Sequence, residues 1–228
     1  MQELLFMKLS PLSLLLPITL VACSGSDAPA TDNSGGDNFA PPTHPILAND
    51  HSADIDLSRG DYRCYTMATS FGDVSLAIDE KYAPTTAENF HTYVSAGFYD
   101  GLLFHRVIDN FMVQAGGFEP GLYKPETLTP IENESRNGLK NYRGRIAMAR
   151  TAEPHSATSQ FYINVVDNHG LNFQNDTWGY AVFGGVLSGM DVIDQIKQVE
   201  VGSVGGFSDV PVEDVLITGI TETDCPNN

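Results

Sequence analysis

The run Phe104-His105-Arg106-Val107-Ile108-Asp109-Asn110-Phe111-Met112-Val113-Gln114-Ala115-Gly116-Gly117 sets one arginine among large apolar side chains, with a neutral amide close by. Cationic side chains are rarely buried without a partner. Arg106 amid Phe104, Val107, Ile108, Phe111 and Met112 therefore marks a site rather than plain core. The plain alternative is a structural ion pair with an acid such as Glu119. Both halves of the run, Leu103–Ile108 and Phe111–Ala115, read as short strands.

The rest of the domain continues in short strands. Over Tyr62–Ile78 two alternating stretches flank the turn Ser70-Phe71-Gly72-Asp73, which predicts a hairpin. Further strand-like runs are Arg145–Ala149, Gln160–Val165, Ala181–Val186 and Val215–Ile220. A helix is expected over 86–96. Pro84 suits its entry, Thr85 with Glu88 fits a capping box, and Gly97 is placed to end it in the left-handed conformation. Phe90, Tyr93 and Val94 form its apolar face. A second helix is expected over 190–199, with Ser188 as cap, Asp191 as its partner, and Ile193 and Ile196 buried. Many short strands with only two helices make a mainly β domain, a barrel or sandwich with helical caps. Periodicity alone does not choose between them.

The N-terminus reads as a targeting segment. Lys8 precedes an apolar run, Leu9 to Ala22, that is too short to span a bilayer, which takes roughly 20 apolar residues. Translation from Met7 would give a more usual charged region. The run ends in Leu20-Val21-Ala22-Cys23, which resembles a bacterial lipobox. The resemblance implies a signal peptide over 1–22 and a lipidated Cys23. In lipoproteins of two-membrane bacteria, Ser24 at the next position implies the outer membrane rather than inner-membrane retention. Residues 23–58 are expected to form a lipid-anchored flexible linker, rich in Ser, Gly, Asp, Asn, Ala and Pro. The folded domain is expected over 59–228.

Net charge is −17, from 29 acidic and 12 basic residues. Such a charge argues against nucleic acid and anionic lipid surfaces as partners. Of the three cysteines, Cys23 is assigned to lipid, which leaves Cys64 and Cys225. An exported compartment is oxidising enough to join them, and a bridge would staple the two ends of the domain. No spacing suits a metal, and the expectation is a monomer without cofactor.

Two more segments are informative: Arg145-Ile146-Ala147-Met148-Ala149-Arg150 with Ser156-Ala157-Thr158-Ser159-Gln160-Phe161-Tyr162-Ile163-Asn164, and Gly179-Tyr180-Ala181-Val182-Phe183-Gly184. In this order and spacing after the Phe104 run, they resemble the cyclophilin-type peptidyl-prolyl cis-trans isomerases, above all the exported bacterial ones. The resemblance covers about residues 60–223. It implies a closed barrel of eight antiparallel strands capped by two helices, with the groove on the outer face. Its first and last strands are neighbours, which supports the Cys64–Cys225 pairing. It further implies that Arg106 is the central catalytic residue and that Gln114 holds the substrate backbone. Phe111, Met112, Tyr162 and Leu171 match the wall of a proline pocket. Ala149, Arg150 and Gln160 match positions lining the groove, the first two chiefly through backbone groups. Tyr180 stands where many relatives carry histidine.

One departure lies beside the pocket. Gly170 precedes Leu171 where eukaryotic members commonly carry a tryptophan that helps to bind cyclosporin, so weak cyclosporin binding is expected. Trp178 is the aromatic that could substitute from nearby.

Other chemistries fit less well. His105, His155 and His169 lack ligand spacing, and Asp167, Asn172 and Asp176 follow no calcium-loop pattern. Ser156 and Ser159 near His155 lack a Gly-x-Ser-x-Gly elbow. The expected function is therefore isomerisation of X-Pro bonds in exported, proline-containing polypeptides, past slow folding steps. A proline-peptide binding module or holdase with little turnover is the alternative. The retained arginine favours turnover, because binding alone requires no donor at the proline nitrogen.

Overall fold

The computed structural model describes residues 55, 57–59 and 61–226. The expected signal peptide, Cys23 and most of the expected linker lie outside the described residues. The linker's last residues do not: Leu57–Arg59 form a 3-10 turn, and Ile55 is half-buried against Gly185.

The elements follow in the order β1 (Tyr62–Thr69), β2 (Gly72–Asp79), α1 (Pro84–Ser95), β3 (Phe104–Ile108), β4 (Met112–Ala115), β5 (Arg145–Met148), β6 (Phe161–Asn164), β7 (Val182–Ser188), α2 (Met190–Ile196), β8 (Val201–Val204), β9 (Phe207–Pro211) and β10 (Ile217–Thr223). Eight strands make one antiparallel sheet in the order β10-β1-β2-β7-β5-β6-β4-β3. The sheet curls until its two edges meet. Leu103 and Leu216 form a bridge there, with Phe104 N donating to Val215 O and Ile217 N donating to Leu102 O, both at 2.8 Å. Curling removes the unpaired edges that an open sheet would present.

Period-two alternation decides which side chains fill the interior. Tyr65 and Met67 of β1, Val74, Leu76 and Ile78 of β2, Phe161 and Ile163 of β6, and Phe183 of β7 all point inward and are fully buried. Phe90 of α1 closes this core from one side. Its ring lies 5.4–5.8 Å from those of Tyr65, Tyr99, Phe161 and Phe183. A second, smaller cluster forms on the outer face, from Met112, Ala147, Tyr162 and Val182.

Both helices start differently from the sequence expectation. Thr85 and Glu88 form no capping box, and the N-cap of α1 is Ala83. The Glu134 carboxylate, far along the chain, takes the free donors instead. It accepts from Thr85 N at 3.1 Å, Thr86 N at 2.8 Å and Thr86 Oγ1 at 2.6 Å. A full negative charge at a helix N-terminus outcompetes a local hydroxyl. Gly97 does take the left-handed conformation (φ 65°). In the second helix Ser188 belongs to β7, and Gly189 (φ 91°) is the N-cap without a side-chain bond. Ile193 and Ile196 are buried as expected, but the helix ends at Ile196.

The hairpin of β8 and β9 has no counterpart in the sequence reading. Most of its residues are exposed, so no apolar alternation marks it. The available signal was Gly205-Gly206 between Val204 and Phe207. Both glycines have positive φ (57° and 91°), as a two-residue hairpin turn requires.

Cys64 lies in β1 and Cys225 just beyond β10, beside the Cys64–Thr223 pair. Their sulfurs are bonded, with Cα atoms 5.1 Å apart.

Candidate active site

Strand register assembles the site. Arg106 of β3 stands opposite Gln114 of β4, Gln114 opposite Tyr162 of β6, and Tyr162 opposite Ala147 of β5. Directly opposed residues share a face, so these four form one row across the outside of the sheet. Met112, two residues before Gln114, joins the same face. Phe111, Ala149, Leu171 and Tyr180 pack around it. The sequence-predicted pocket residues are thus brought together, Leu171 included. Trp178 is not among them. Its ring stacks under Arg136 at 4.4 Å and lies edge-on to His155 at 4.9 Å.

Arg106 differs from expectation in burial. Phe104 and Val107 point into the core, while Arg106 points out and its side chain is 40% exposed. Val107 alternates to the core side, and a bulge between Phe104 and Arg106 turns Phe104 the same way, so the apolar neighbours do not enclose the charge. Its acidic partner is Asp209 of β9 rather than Glu119, with Nε 3.7 Å from Oδ2. A half-exposed pair of this kind contributes only about 0–1 kcal/mol. Asp209 therefore restrains the guanidinium without locking it. Asp209 itself sits at φ 60°, a conformation that Asp tolerates.

Gln114 Nε2 donates to Gln160 Oε1 at 2.8 Å. One proton of that amide nitrogen is thereby used, and the second is left for an incoming carbonyl. The Tyr162 hydroxyl is buried and donates to Asn141 Oδ1 at 2.8 Å. Burial holds this phenol well above its ordinary pKa, so it stays a donor. Asn141 also receives an Asn164 amide bond and binds Asn172 Oδ1 through its own backbone N at 2.8 Å. It ties the pocket floor to the loop that carries Leu171. Nothing in the sequence pattern marks Asn141 or Asp209, because both act across long chain separations.

His105 is buried beside Arg106, against the ring of Phe118 at 4.8 Å, and its Nδ1 has no hydrogen-bond partner among the described residues. Burial pushes its pKa down to about 4. The Arg106 charge adds to the fall, and the Leu103 backbone and Gln160 amide oppose it. A neutral imidazole therefore faces the site at physiological pH. This depressed value gives a signed expectation. Above pH 6.5 the ring is neutral in both states and the native contribution is fully present. As pH falls from 6.5 towards 4, the unfolded chain binds a proton that the native state refuses. Stability should then drop by on the order of 3 kcal/mol. Urea titrations of the parent and His105→Gln across that window measure the effect. Equal slopes would assign the acid sensitivity to another group.

Among the described residues, no three of His, Cys, Asp and Glu come together as metal ligands. What the row offers is a permanent cation, a free amide donor and an apolar pocket beside them. That set can polarise and clamp a substrate, but it holds no nucleophile.

A family profile described as cyclophilin type peptidyl-prolyl cis-trans isomerase/CLD matches residues 64–222. Peptidyl-prolyl cis-trans isomerase B of Escherichia coli (strain K12) is 53% identical over 159 residues, spanning 68% of this chain and 97% of that protein. Peptidyl-prolyl cis-trans isomerase cyp18 of Streptomyces antibioticus is 54% identical over 152 residues, spanning 65% and 92% respectively. The crystal structure of a Cryptosporidium parvum cyclophilin type isomerase in the presence of the dipeptide Ala-Pro shares the fold, with a TM-score of 0.59 at 22% identity. The likeness covers 71% of this chain and 99% of that one.

Proposed function

The chain belongs to the cyclophilin-type peptidyl-prolyl cis-trans isomerases, and from that premise we propose that it speeds X-Pro rotation in exported polypeptides, with Arg106 stabilising the twisted amide. The observation that carries this reading is the row Arg106, Gln114, Tyr162 on one face of three adjacent strands.

The X-Pro bond resists rotation by about 18–20 kcal/mol because its C–N bond is partly double. Twisting breaks the conjugation, and the proline nitrogen becomes pyramidal and basic. A guanidinium donor then binds the twisted state more strongly than the planar one, and that difference lowers the barrier. Asp209 engages the Nε side of Arg106, which leaves the Nη donors for the substrate. The cation needs no titrating base, so turnover is expected to be flat from about pH 6 to 9. Phe111, Met112, Tyr162 and Leu171 clamp the proline ring, with Tyr180 closing the far side. Gln114 holds the substrate carbonyl while the rest rotates. Ala149 and Gln160 line the groove for the preceding residues.

Export rests on the segment Leu20-Val21-Ala22-Cys23 and on the bonded pair Cys64–Cys225, which suits an oxidising compartment. The same reading makes the protein a monomeric lipoprotein of the outer membrane, with Cys23 as its lipid anchor. Its clients are flexible, proline-containing chains in the cell envelope. Cyclosporin should bind weakly, because Gly170 is exposed with nothing within 4 Å of where a Cβ would stand. A low-nanomolar complex by calorimetry would refute that expectation.

Exchange spectroscopy on a short Ala-Pro peptide tests the function itself. Catalytic amounts of the protein should merge the cis and trans resonances. Peptide binding without faster exchange would instead identify a binding module or holdase.

A further inference from the structure

The Arg150 guanidinium does not face the groove; it faces a loop. Nε donates to Gly179 O at 3.0 Å, and Nη2 donates to Trp178 O at 2.7 Å. Nη1 donates to Thr151 O at 2.9 Å and to Ala152 O at 3.4 Å. Four of the five donors that an arginine carries are thereby used. The guanidinium plane also lies over the Tyr180 ring, 4.6 Å from its centroid. Little of this head remains to bind a substrate.

The loop that it holds supplies two pocket walls. Tyr180 N donates to Leu171 O at 2.9 Å, which joins the walls to each other. Gly179 presses directly on the backbone before it: a Cβ there would stand 2.4 Å from Phe173 N and 2.5 Å from Leu171 O. Only glycine permits that approach. Gly179 O accepts a second bond, from Asn133 Nδ2 at 3.0 Å. The Tyr180 ring is then caught between the guanidinium and the ring of Tyr162, which lies edge-on at 5.9 Å.

We propose that Arg150 is a positioning residue, whose guanidinium fixes residues 178–180 and so sets Tyr180 and Leu171 as the far wall of the proline pocket. The assignment rests on the isomerase reading for what the pocket binds, but the clamp itself does not. A planar fork is required, because four carbonyl oxygens and one ring face must be met together. A lysine ammonium keeps the charge but has no planar face and puts all its donors on one nitrogen. A preformed wall lowers the ordering cost of binding, so loosening it acts on substrate affinity before it acts on the reacting bond.

The test uses Arg150→Lys and Arg150→Met in the full-length chain. Trp178, the sole tryptophan, serves as the loop's own reporter. KM for an Ala-Pro peptide should rise about tenfold, with kcat falling less than threefold. Trp178 emission should shift to the red and become more open to acrylamide, and saturating peptide should reverse both changes. A role in general stability alone would lower the melting temperature without separating KM from kcat. Unchanged KM and unchanged Trp178 quenching in a folded Arg150→Lys protein would overturn the proposal, as would a fall confined to kcat. If Arg150→Met does not fold, Arg150→Lys decides alone. If the parent shows no turnover, the isomerase reading fails, and peptide affinity with Trp178 quenching still tests the clamp.

Discussion

Removing the Cys64–Cys225 bridge should lower the free energy of unfolding by about 5 kcal/mol. The figure follows from the 161 residues that the bridge encloses, because a longer closed loop removes more entropy from the unfolded chain. The native state changes little, since β1 and β10 remain paired through their ladder from Cys64–Thr223 to Thr69–Ile217. A loss of that size is comparable to the whole stability of many domains. Urea midpoints of the oxidised parent and of Cys64→Ser with Cys225→Ser measure it. The bridge sits at the opposite end of β10 from the Leu103–Leu216 contact that closes the sheet. Turnover by whatever fraction remains folded should therefore match the parent. A drop below about 1 kcal/mol would mean that the unfolded chain keeps its ends together without the bond.

How much of this was legible in the sequence depended on whether a contact was local or periodic. Val74, Leu76 and Ile78 show their inward face by alternation alone. Phe90 and Tyr93 show theirs by helical spacing. The ordered segments around Arg106, Gln160 and Tyr180 carry the family resemblance, and with it the closed sheet. Burial of Arg106 was misjudged because chain neighbours were read as spatial neighbours, whereas alternation turns Val107, and the bulge after Phe104 turns Phe104, to the other side. The cap of the first helix was misjudged because Glu134 comes from 48 residues beyond Thr86. No local pattern reports such a partner. Asp209 and the hairpin of β8 and β9 were missed for a related reason: exposed strands leave no apolar period. Arg150 was placed in the groove by resemblance, while its hydrogen bonds to Gly179 and Trp178 depend on a loop whose path the sequence does not give.

Arg106→Ala should reduce turnover by about 10²–10³, the cost of removing one preorganised donor from a developing charge. The pocket of Phe111, Met112 and Tyr162 is built on the main-chain register of β4 and β6, which truncation of Arg106 leaves in place. Peptide affinity should therefore change only a few-fold. Arg106→Lys keeps the charge but not the fork, so it should recover only part of the rate. Asp209→Asn, by contrast, should leave stability within about 1 kcal/mol of the parent, because the ion pair is half-exposed.

The most direct test of the central claim is isomerisation of an Ala-Pro peptide by the parent and by Arg106→Ala, with peptide affinity measured by calorimetry in both. Near-loss of rate with affinity kept is the predicted result. Turnover retained without Arg106, or rate and affinity lost together, would contradict a role confined to the twisted amide.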